Sequence, residues 1–240
     1  MRAVAILTAA GSGTRLGHAL PKALVPLAEV PIVTRAARAL DSAGVVRRIV
    51  VTAPPEAVAD VAAAVADVPG VEVVPGGATR QGSVAAALAR LTDEPDETVV
   101  LVHDAARPLV PVRVVRRVVG AVEMGDDAVV PALPVTDTVK KVDAAQVVTA
   151  TLDRSALRAV QTPQGFRLGV LRAAHAAAAH RADDEAIAAT DDAGLVEATG
   201  GAVRVVEGHE DAMKITTARD LAVATALLTH DAAANAQVTR

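Results

Sequence analysis

The residues best suited to chemistry lie in a small, glycine-rich loop, residues 9–22, directly after the apolar run 3–7. Arg15 falls within this loop, and Lys22 follows directly after Pro21. Small residues let backbone N–H groups approach phosphate oxygens closely, and two cations can neutralise a triphosphate and the charge that develops as it reacts. The loop therefore predicts nucleotide phosphate chemistry. Taken alone, it is equally typical of a plain strand-to-helix turn.

Two commoner phosphate-binding motifs do not fit this loop. The dinucleotide fingerprint G-x-G-x-x-G needs a third glycine where the sequence has Leu16, and the next strand ends at 51–53 without the expected acid. The P-loop pattern G-x-x-x-x-G-K-[ST] has no match, since Lys22 is followed by Ala23. A dehydrogenase and a P-loop nucleotidase are therefore disfavoured.

A second glycine-rich loop, residues 75–83, opens a predicted helix. Gly76 and Gly77 permit close backbone approach, and Ser83 either caps the helix or donates to a ligand. A capped helix start without a ligand is the alternative, but the presence of a second such loop favours a ligand site.

Three further segments carry charged residues near predicted element ends. Asp104 follows an apolar strand, which suits a metal-bridged or hydroxyl-binding role or, alternatively, a loop-shaping pair with Arg107. Lys214 precedes a helix with Thr216 or Thr217 as its predicted cap. The pair Asp191-Asp192 ends a predicted helix, either as a solvated pair or as part of a site. His103 is expected to be structural, and no metal-ligand spacing of His or Cys predicts zinc.

Alternating elements predict how these segments are positioned. The predicted strands are 3–8, 45–52, 71–74, 98–102, 127–133 and 202–206. The predicted helices are about 32–42, 55–66, 82–91, 111–124, 167–181, 184–193 and 217–229. This order indicates an α/β, Rossmann-like, mostly parallel sheet flanked by helices. Ligands of such sheets bind at the carboxyl ends of strands, so the loops 9–22, 75–83, 103–110 and 207–216 are expected to meet.

Residues 134–155 break this alternation and predict an inserted β-hairpin that turns around 143–145. A lone hairpin is marginal in water, so this arm is expected to pack against something, with a second subunit as the natural candidate. Neither a repeat nor a linker divides the rest of the sequence. Residues 1–240 are therefore predicted to form one domain with a dimerisation arm.

Composition excludes several classes of function. The chain has 240 residues, 52% of them hydrophobic, with a net charge of −4 and no cysteine. Nucleic-acid and membrane-surface binding are disfavoured because no basic patch dominates, and thiol chemistry is excluded. No signal peptide or membrane span is expected, and a cytoplasmic location is predicted. Phe166 is the one aromatic residue, so a nucleotide base would be held by backbone groups and small side chains rather than by stacking.

Taken together, the motifs resemble a known family. Residues 9–16 with Pro21-Lys22 look like the signature shared by nucleotidyltransferases. The later motifs follow in the order of the 2-C-methyl-D-erythritol 4-phosphate cytidylyltransferase family of the non-mevalonate isoprenoid pathway, from residue 5 to about 220. These motifs are Gly76-Gly77 with Arg80 and Ser83, His103–Pro108, Asp137–Lys140, Asp153-Arg154, Thr162–Gln164, Thr190–Ala193 and Lys214–Thr216.

The resemblance implies an enzyme that transfers CMP from CTP to 2-C-methyl-D-erythritol 4-phosphate and releases pyrophosphate, and it implies roles for several of the matching residues. The residues implied to hold CTP are Ala9, Ala10, Gly11, Gly13, Gly77, Ser83 and Ala105. The implied catalytic residues are Arg15, Lys22, Lys214 and Asp104. The implied polyol phosphate contacts are Arg107, Thr138, Arg154 and Thr162, with Thr138 and Arg154 reaching the site of the neighbouring subunit in a homodimer. Mg²⁺ or another divalent cation is implied, held through the CTP phosphates and with Asp104 as a candidate ligand.

Two other functions stay open at this stage. A cytidylyltransferase for another polyol phosphate, such as ribitol 5-phosphate, would share the CTP loops and differ in the arm. A non-catalytic nucleotide-binding domain is the other alternative, but it would not need Arg15, Lys22 and Lys214 together.

Overall fold

The computed structural model describes residues 3–11, 20–182, 184 and 187–238. The strands are β1 (Ala3–Thr8), β2 (Pro26–Leu27), β3 (Val30–Pro31), β4 (Val46–Ala53), β5 (Val71–Pro75), β6 (Val99–Asp104), β7 (Ala128–Pro134), β8 (Lys140–Val142), β9 (Val148–Thr151), β10 (Arg158–Val160), β11 (Gln164–Arg167) and β12 (Val203–Glu207). The α-helices are α1 (Ile32–Ser42), α2 (Val58–Ala64), α3 (Arg80–Leu88), α4 (Val112–Glu123), α5 (Leu168–Ala177), α6 (Asp192–Ala198) and α7 (Ala218–Val238).

A central eight-stranded sheet positions the candidate site. Its order is β10-β7-β11-β6-β1-β4-β5, and β12 pairs with β7. The pairs β1–β4, β1–β6, β4–β5 and β7–β12 are parallel, whereas β10 and β11 run antiparallel to their neighbours. The predicted α/β architecture is therefore confirmed.

Apolar side chains cover both faces of the sheet, as the β-branched runs predict. In β1, Ala5 and Leu7 join a core cluster with α1 and α4, whereas Val4 and Ile6 join the opposite cluster with α3 and α5. This alternation is the period of two that a strand imposes on its side chains. Both β1 and α1 have the bounds that the sequence predicts.

The helix predicted at 184–193 is wrong in the part of that range that the structure describes. Residues 187–191 are not helical, and α6 begins at Asp192. Asp191 caps this helix, because its Oδ1 accepts a hydrogen bond from the Gly194 N–H at 3.0 Å. The acidic pair thus begins a helix instead of ending one, which is where carboxylates favour the helix dipole.

Four strands lie where the sequence predicts none: the two-residue β2 and β3, and the antiparallel β10 and β11 of the central sheet. Strand β11 has only four residues, and three of them are buried, so it shows no alternation of polar and apolar residues. Its Gly165 lies so close to α4 that a Cβ there would come within 2.5 Å of Val118 Cγ1. The packing of α4 against the sheet therefore requires the glycine that weakens the strand pattern.

The predicted hairpin is present as the antiparallel pair of β8 and β9. Asp143 shapes its turn, since Oδ1 accepts hydrogen bonds from the N–H groups of Ala145 and Val147, each at 2.9 Å. Every residue of both strands is exposed. Among the helices of the described residues, none is long and apolar enough to cross a membrane.

Candidate active site

The loops that follow β1 and β6 meet the N-terminus of α3 around a cavity of about 660 Å³. The segment before α7 contributes Lys214 and Thr216 to the same cavity. The predicted site residues that line it are Ala9, Ala10, Gly11, Lys22, Gly77, Ser83, Asp104, Ala105 and Lys214. The expectation that four separate loops converge at the carboxyl edge of the sheet is therefore confirmed for their described residues.

The remaining predicted site residues fall into three groups. Arg107 belongs to the loop that follows Asp104, and the Thr162 hydroxyl accepts the Asp104 N–H, but neither residue lines the cavity. Thr138 and Arg154 are exposed on the hairpin arm, away from the cavity. Gly13 and Arg15 lie outside the described residues.

Glycines allow the two small-residue loops to close on one another. A Cβ at Gly76 would come within 2.5 Å of Ala10 Cβ, and one at Gly77 would come within 2.6 Å of the carbonyl carbon of Gly82. A larger residue at position 76 would push the two loops apart, and one at position 77 would push the second loop away from the first turn of α3. Residues 9–11 and Gly77 thus line the same cavity.

Thr79, and not Ser83, is the N-cap of α3. The Thr79 Oγ1 accepts the Gly82 N–H at 2.9 Å. The Ser83 hydroxyl donates to the Thr79 carbonyl at 2.8 Å and accepts the Gly77 N–H at 3.2 Å. The capping alternative for Ser83 is therefore wrong, and this side chain instead ties the glycine loop to the first turn of the helix.

Asp104 is the acidic residue among the described residues that line the cavity. Its Oδ2 lies 2.8 Å from Lys214 Nζ, and its Oδ1 lies 3.2 Å from Arg80 Nε. Burial raises the pKa of this carboxyl, but the charges of Arg80 and Lys214 lower it by more, so the net pKa lies well below the usual range. Asp104 is therefore ionised at neutral pH and is too weak a base to accept a proton from a substrate.

A buried hydrogen-bond chain holds the backbone of Asp104. Its N–H donates to Thr162 Oγ1 at 3.0 Å, Thr162 Oγ1 lies 2.9 Å from His103 Nδ1, and His103 Nε2 lies 3.2 Å from the Arg107 carbonyl. Burial lowers the pKa of His103 to about 4, so its ring is neutral at physiological pH. The hydroxyl then donates to Nδ1, and Nε2–H donates to the carbonyl. His103 is thus structural, as the sequence predicts.

The segment that carries Lys214 is fixed on both of its sides. The guanidinium of Arg107 donates to the Ala212 carbonyl at 2.7 Å, and the Ile215 N–H donates to the Ala106 carbonyl at 2.8 Å. These bonds join the segment to the loop after β6. Lys214 is thereby held opposite Asp104 by backbone contacts that do not depend on its own charge.

A capping box then starts α7. The Asp220 carboxylate accepts the Thr217 N–H at 2.8 Å, while Thr217 Oγ1 accepts the Asp220 N–H at 3.2 Å. The cap is therefore Thr217, and Thr216 also donates to Asp220. Hydrogen bonds from Thr216 and Thr217 lower the pKa of Asp220 to about 2.

Three residues beside Asp104 form a network that the sequence analysis does not predict: the partly buried Arg80 and the buried Asp192 and His175. Arg80 Nη1 lies 2.6 Å from Asp192 Oδ2, and Asp192 Oδ1 lies 2.8 Å from His175 Nε2. Burial lowers the pKa of Arg80, but Asp192 and Asp104 raise it by more, so the guanidinium stays charged. One signal was available: a cation in the first turn of α3 opposes the helix dipole, which favours a carboxylate partner nearby.

The described residues contain no group of three or more His, Asp or Glu side chains that could hold a metal. Asp104 offers a carboxylate at the cavity. Mg²⁺ is commonly bound through one or two carboxylates together with substrate phosphates, so this donor set fits Mg²⁺ that arrives with a nucleotide.

A glycine-walled cavity with lysines on its sides, at the carboxyl edge of a mostly parallel sheet, is the arrangement of an α/β nucleotidyltransferase. A family model described as 2-C-methyl-D-erythritol 4-phosphate cytidylyltransferase (IspD) matches residues 3–230. The protein of that name from Saccharopolyspora erythraea is 55% identical over 230 residues, covering 95% of this chain and 100% of the relative. The one from Nocardia farcinica is 52% identical, covering 96% and 95%.

Solved structures agree with this assignment. The crystal structure of 4-diphosphocytidyl-2C-methyl-D-erythritol synthase from Anaerococcus prevotii superposes with a TM-score of 0.81 at 26% identity, covering 95% of this chain and 98% of that one. The 2-C-methyl-D-erythritol 4-phosphate cytidylyltransferase from Thermus thermophilus gives a TM-score of 0.75 at 36% identity with the same coverage. This chain belongs to the 2-C-methyl-D-erythritol 4-phosphate cytidylyltransferase family.

Proposed function

We propose that the protein transfers the cytidylyl group of CTP to 2-C-methyl-D-erythritol 4-phosphate and releases pyrophosphate, a step of isoprenoid biosynthesis. Family membership supports the reaction. The observation in this molecule that carries it is the convergence of Lys22 and Lys214 on a cavity that Gly11 and Gly77 also line.

The proposed chemistry joins two anions. A phosphate oxygen of the polyol substrate attacks the α-phosphorus of CTP, and the bond from that phosphorus to the pyrophosphate oxygen breaks. Lys22 and Lys214 offset the repulsion and stabilise the charge of the transition state. The attacking phosphate is already ionised near neutral pH, so the reaction needs no general base. This agrees with Asp104, whose pKa is far too low for that role.

Mg²⁺ is part of the proposal. When bound, it would supply further neutralisation of the phosphate charge, and Asp104 would hold it together with the phosphate oxygens of CTP. Cytosine recognition is assigned to backbone groups of residues 9–11 and 76–77 with Ser83, because the sequence has no aromatic residue other than the fully buried Phe166.

We also propose a homodimer in which Thr138 and Arg154 serve the site of the neighbouring subunit. The support is the state of the hairpin arm: Val142, Val147 and Val148 are exposed by 42%, 60% and 53%, which is unusual for apolar side chains so close together. Both proposed substrates are charged metabolites, so we assign the reaction to the cytoplasm within the same proposal.

A pyrophosphate-release assay tests the reaction. The protein is incubated with CTP and Mg²⁺, and with either 2-C-methyl-D-erythritol 4-phosphate or ribitol 5-phosphate. We expect release with the first substrate at a kcat/KM at least tenfold higher than with the second, a difference of about 1.4 kcal/mol. Equal or faster turnover of ribitol 5-phosphate would assign the sibling activity. No release with either substrate, despite CTP binding, would indicate a nucleotide-binding domain without this activity.

A further inference from the structure

We propose that Arg80 is a positioning residue that keeps Asp104 paired when Lys214 leaves it for the phosphates of bound CTP. The inference rests on the proposed function, because it concerns how the empty site becomes a CTP-binding site. The two residues on which it depends, Arg80 and Asp192, are not among the catalytic or binding residues that the sequence predicts.

Two cations hold the two oxygens of one carboxylate from opposite sides. The Lys214 side chain is 42% exposed, whereas those of Arg80 and Asp104 are 21% and 9% exposed. Both cations line the cavity, but Lys214 is the more exposed of the two, and Arg80 is also bound through Nη1 to the buried Asp192. A charged ligand in the cavity can compete for Lys214 much more readily than for Arg80.

Lys214 has to give up part of this pairing to stabilise a triphosphate. At 2.8 Å from Asp104 Oδ2, its charge is largely neutralised by the carboxylate. If Lys214 were the sole partner, its departure before Mg²⁺ is in place would leave a buried, unpaired charge, which is strongly unfavourable. Arg80 Nε at 3.2 Å and the Thr8 hydroxyl at 3.4 Å from Oδ1 remain when Lys214 moves. The second cation thus lowers the cost of releasing the first.

Arg80 is anchored so that it does not follow Lys214. Its Nη1 is bound to Asp192 Oδ2 at 2.6 Å, and Asp192, which is 1% exposed, is itself bound to His175 at 2.8 Å. The Asp192 N–H also donates to Gln164 Oε1 at 3.2 Å. A guanidinium reaches both carboxylates at once through separate nitrogens, which the single ammonium of a lysine cannot do in the same geometry.

CTP binding to the full-length protein tests the inference, measured by calorimetry with Arg80→Lys, Asp104→Asn and the double variant. We expect Arg80→Lys to raise the Kd for CTP about tenfold, because Asp104 then holds Lys214 more tightly. In the Asp104→Asn background the same substitution should change Kd by less than about twofold, since the carboxylate that needs a partner is gone. In turnover, the KM for CTP should rise while the KM for the polyol phosphate changes by less than about twofold.

Arg48→Lys is the matched control. Arg48 is a partly buried arginine, 24% exposed, that likewise pairs with more than one carboxylate, namely Glu72, Asp93 and Glu94, but it lies outside the cavity lining. It should alter unfolding by urea without altering the Kd for CTP. If Arg80→Lys does not fold, Asp192→Asn replaces it, with an expected rise of about threefold in Kd because the anchor of Arg80 is weakened.

The outcomes separate the two proposals. A folded Arg80→Lys protein that binds CTP as the wild type does, or an equal effect with and without Asp104→Asn, would overturn the positioning role while leaving the proposed function intact. A wild-type protein that neither binds CTP nor releases pyrophosphate would overturn the function itself.

Discussion

The cavity and the hairpin arm are built in opposite ways. Around the cavity, Asp104 and Asp192 are almost fully buried, and each is held by at least two side chains. In the arm, β8 and β9 are exposed throughout, and the Arg154 guanidinium donates to the backbone carbonyl of Thr136. The geometry of the cavity is thus determined within this chain, whereas the arm is supported mainly by its own turn.

This difference separates the two parts of the proposed function, nucleotide chemistry in the cavity and contact with a second subunit through the arm. A preorganised, buried site suits nucleotide selection and transition-state stabilisation, because its charges need little reorganisation. An exposed hairpin suits contact with a surface that the chain itself does not provide. The cavity and arm should therefore respond differently to substitution.

Base selection is expected to give the largest effect and to depend on the cavity alone. We expect kcat/KM to be highest with CTP and much lower with UTP. With ATP and GTP it should be near background, a loss of about 10⁴-fold for the purines. The reason is that a wrong base leaves buried donors and acceptors unpaired. Steady-state kinetics with the four nucleotides measures this order.

Arg154→Ala is the control for that experiment, and it should keep the same order because the arm does not read the base. Comparable kcat/KM values for CTP and ATP in the wild type would show that residues 9–11 and 76–83 do not select cytosine, and would remove the contrast between the two regions.

Lys22→Ala should lower kcat by about 10²-fold or more, as the loss of one transition-state charge contact typically does. Lys22 follows Pro21, whose fixed backbone suits a side chain directed at one point. Lys141→Ala, an exposed lysine of the arm, is the matched control and should change kcat by less than about threefold. Near-normal turnover in a folded Lys22→Ala protein would contradict the proposed role.

The pH dependence of stability should reveal the buried hydrogen-bond chain beside the cavity. The pKa of His103 is about 4 in the folded protein against its usual 6.5. Because the folded pKa is the lower one, this stabilisation is complete above pH 6.5 and is lost as the pH falls towards 4. Between pH 7 and 5 the wild type should lose about 2 kcal/mol more of its unfolding free energy than His103→Gln.

His103→Gln keeps an acceptor for Thr162 and a donor for the Arg107 carbonyl, so it changes the titration with little change in shape. Urea unfolding followed by far-UV circular dichroism measures the difference. Between pH 8 and 9 the two proteins should show the same slope of stability against pH. Parallel slopes between pH 7 and 5 as well would show that His103 titrates normally in the folded state.

Arg154→Ala should have the smallest effect. We expect the KM for the polyol phosphate to rise about tenfold, the KM for CTP to change by less than about twofold, and the unfolding free energy to stay within about 0.5 kcal/mol, as for other exposed substitutions. Kinetics with each substrate varied in turn, together with urea unfolding, measures all three.

Mixed dimers sharpen this last prediction. Arg154→Ala and Lys22→Ala subunits, each impaired alone, should regain part of the activity when mixed, because one site then has its own Lys22 and the partner subunit's Arg154. If subunit exchange is demonstrated and no activity returns, the arm does not act across a dimer.

The sequence predicted the frame of the fold better than its insertions. Strand β1 and helix α1 followed directly from local patterns, because buried parallel strands and amphipathic helices impose clear periods. Strand β11 did not, since its Gly165 is required by contact with Val118 of α4, a neighbour that is distant in the sequence. The error in the helix predicted at 184–193 has a different cause, because the signal there is local: aspartate favours the N-cap position, and Asp191 caps α6.

The site, like the fold, was predictable where it depends on the order of the elements and not where it depends on contacts between distant residues. Convergence of the loops followed from the carboxyl-end rule, which needs only the order of the elements. The pairing of Arg80 with Asp192 spans 112 residues and depends on how α6 packs on α5, which in turn contacts α3, so no local pattern contains it. The roles of Arg15 and Gly13 stay predictions, as do those of the exposed arm residues.

The aliphatic core has a spectroscopic consequence. With no tryptophan, tyrosine or cysteine and one buried phenylalanine, the protein absorbs almost no near-ultraviolet light and has no useful intrinsic fluorescence. In a complex with CTP, nearly all near-ultraviolet absorption would therefore come from cytosine. Changes in the absorption or circular dichroism of the base can then be followed against a dark background, and a single tryptophan introduced on the arm would report on its surroundings without interference from any other residue.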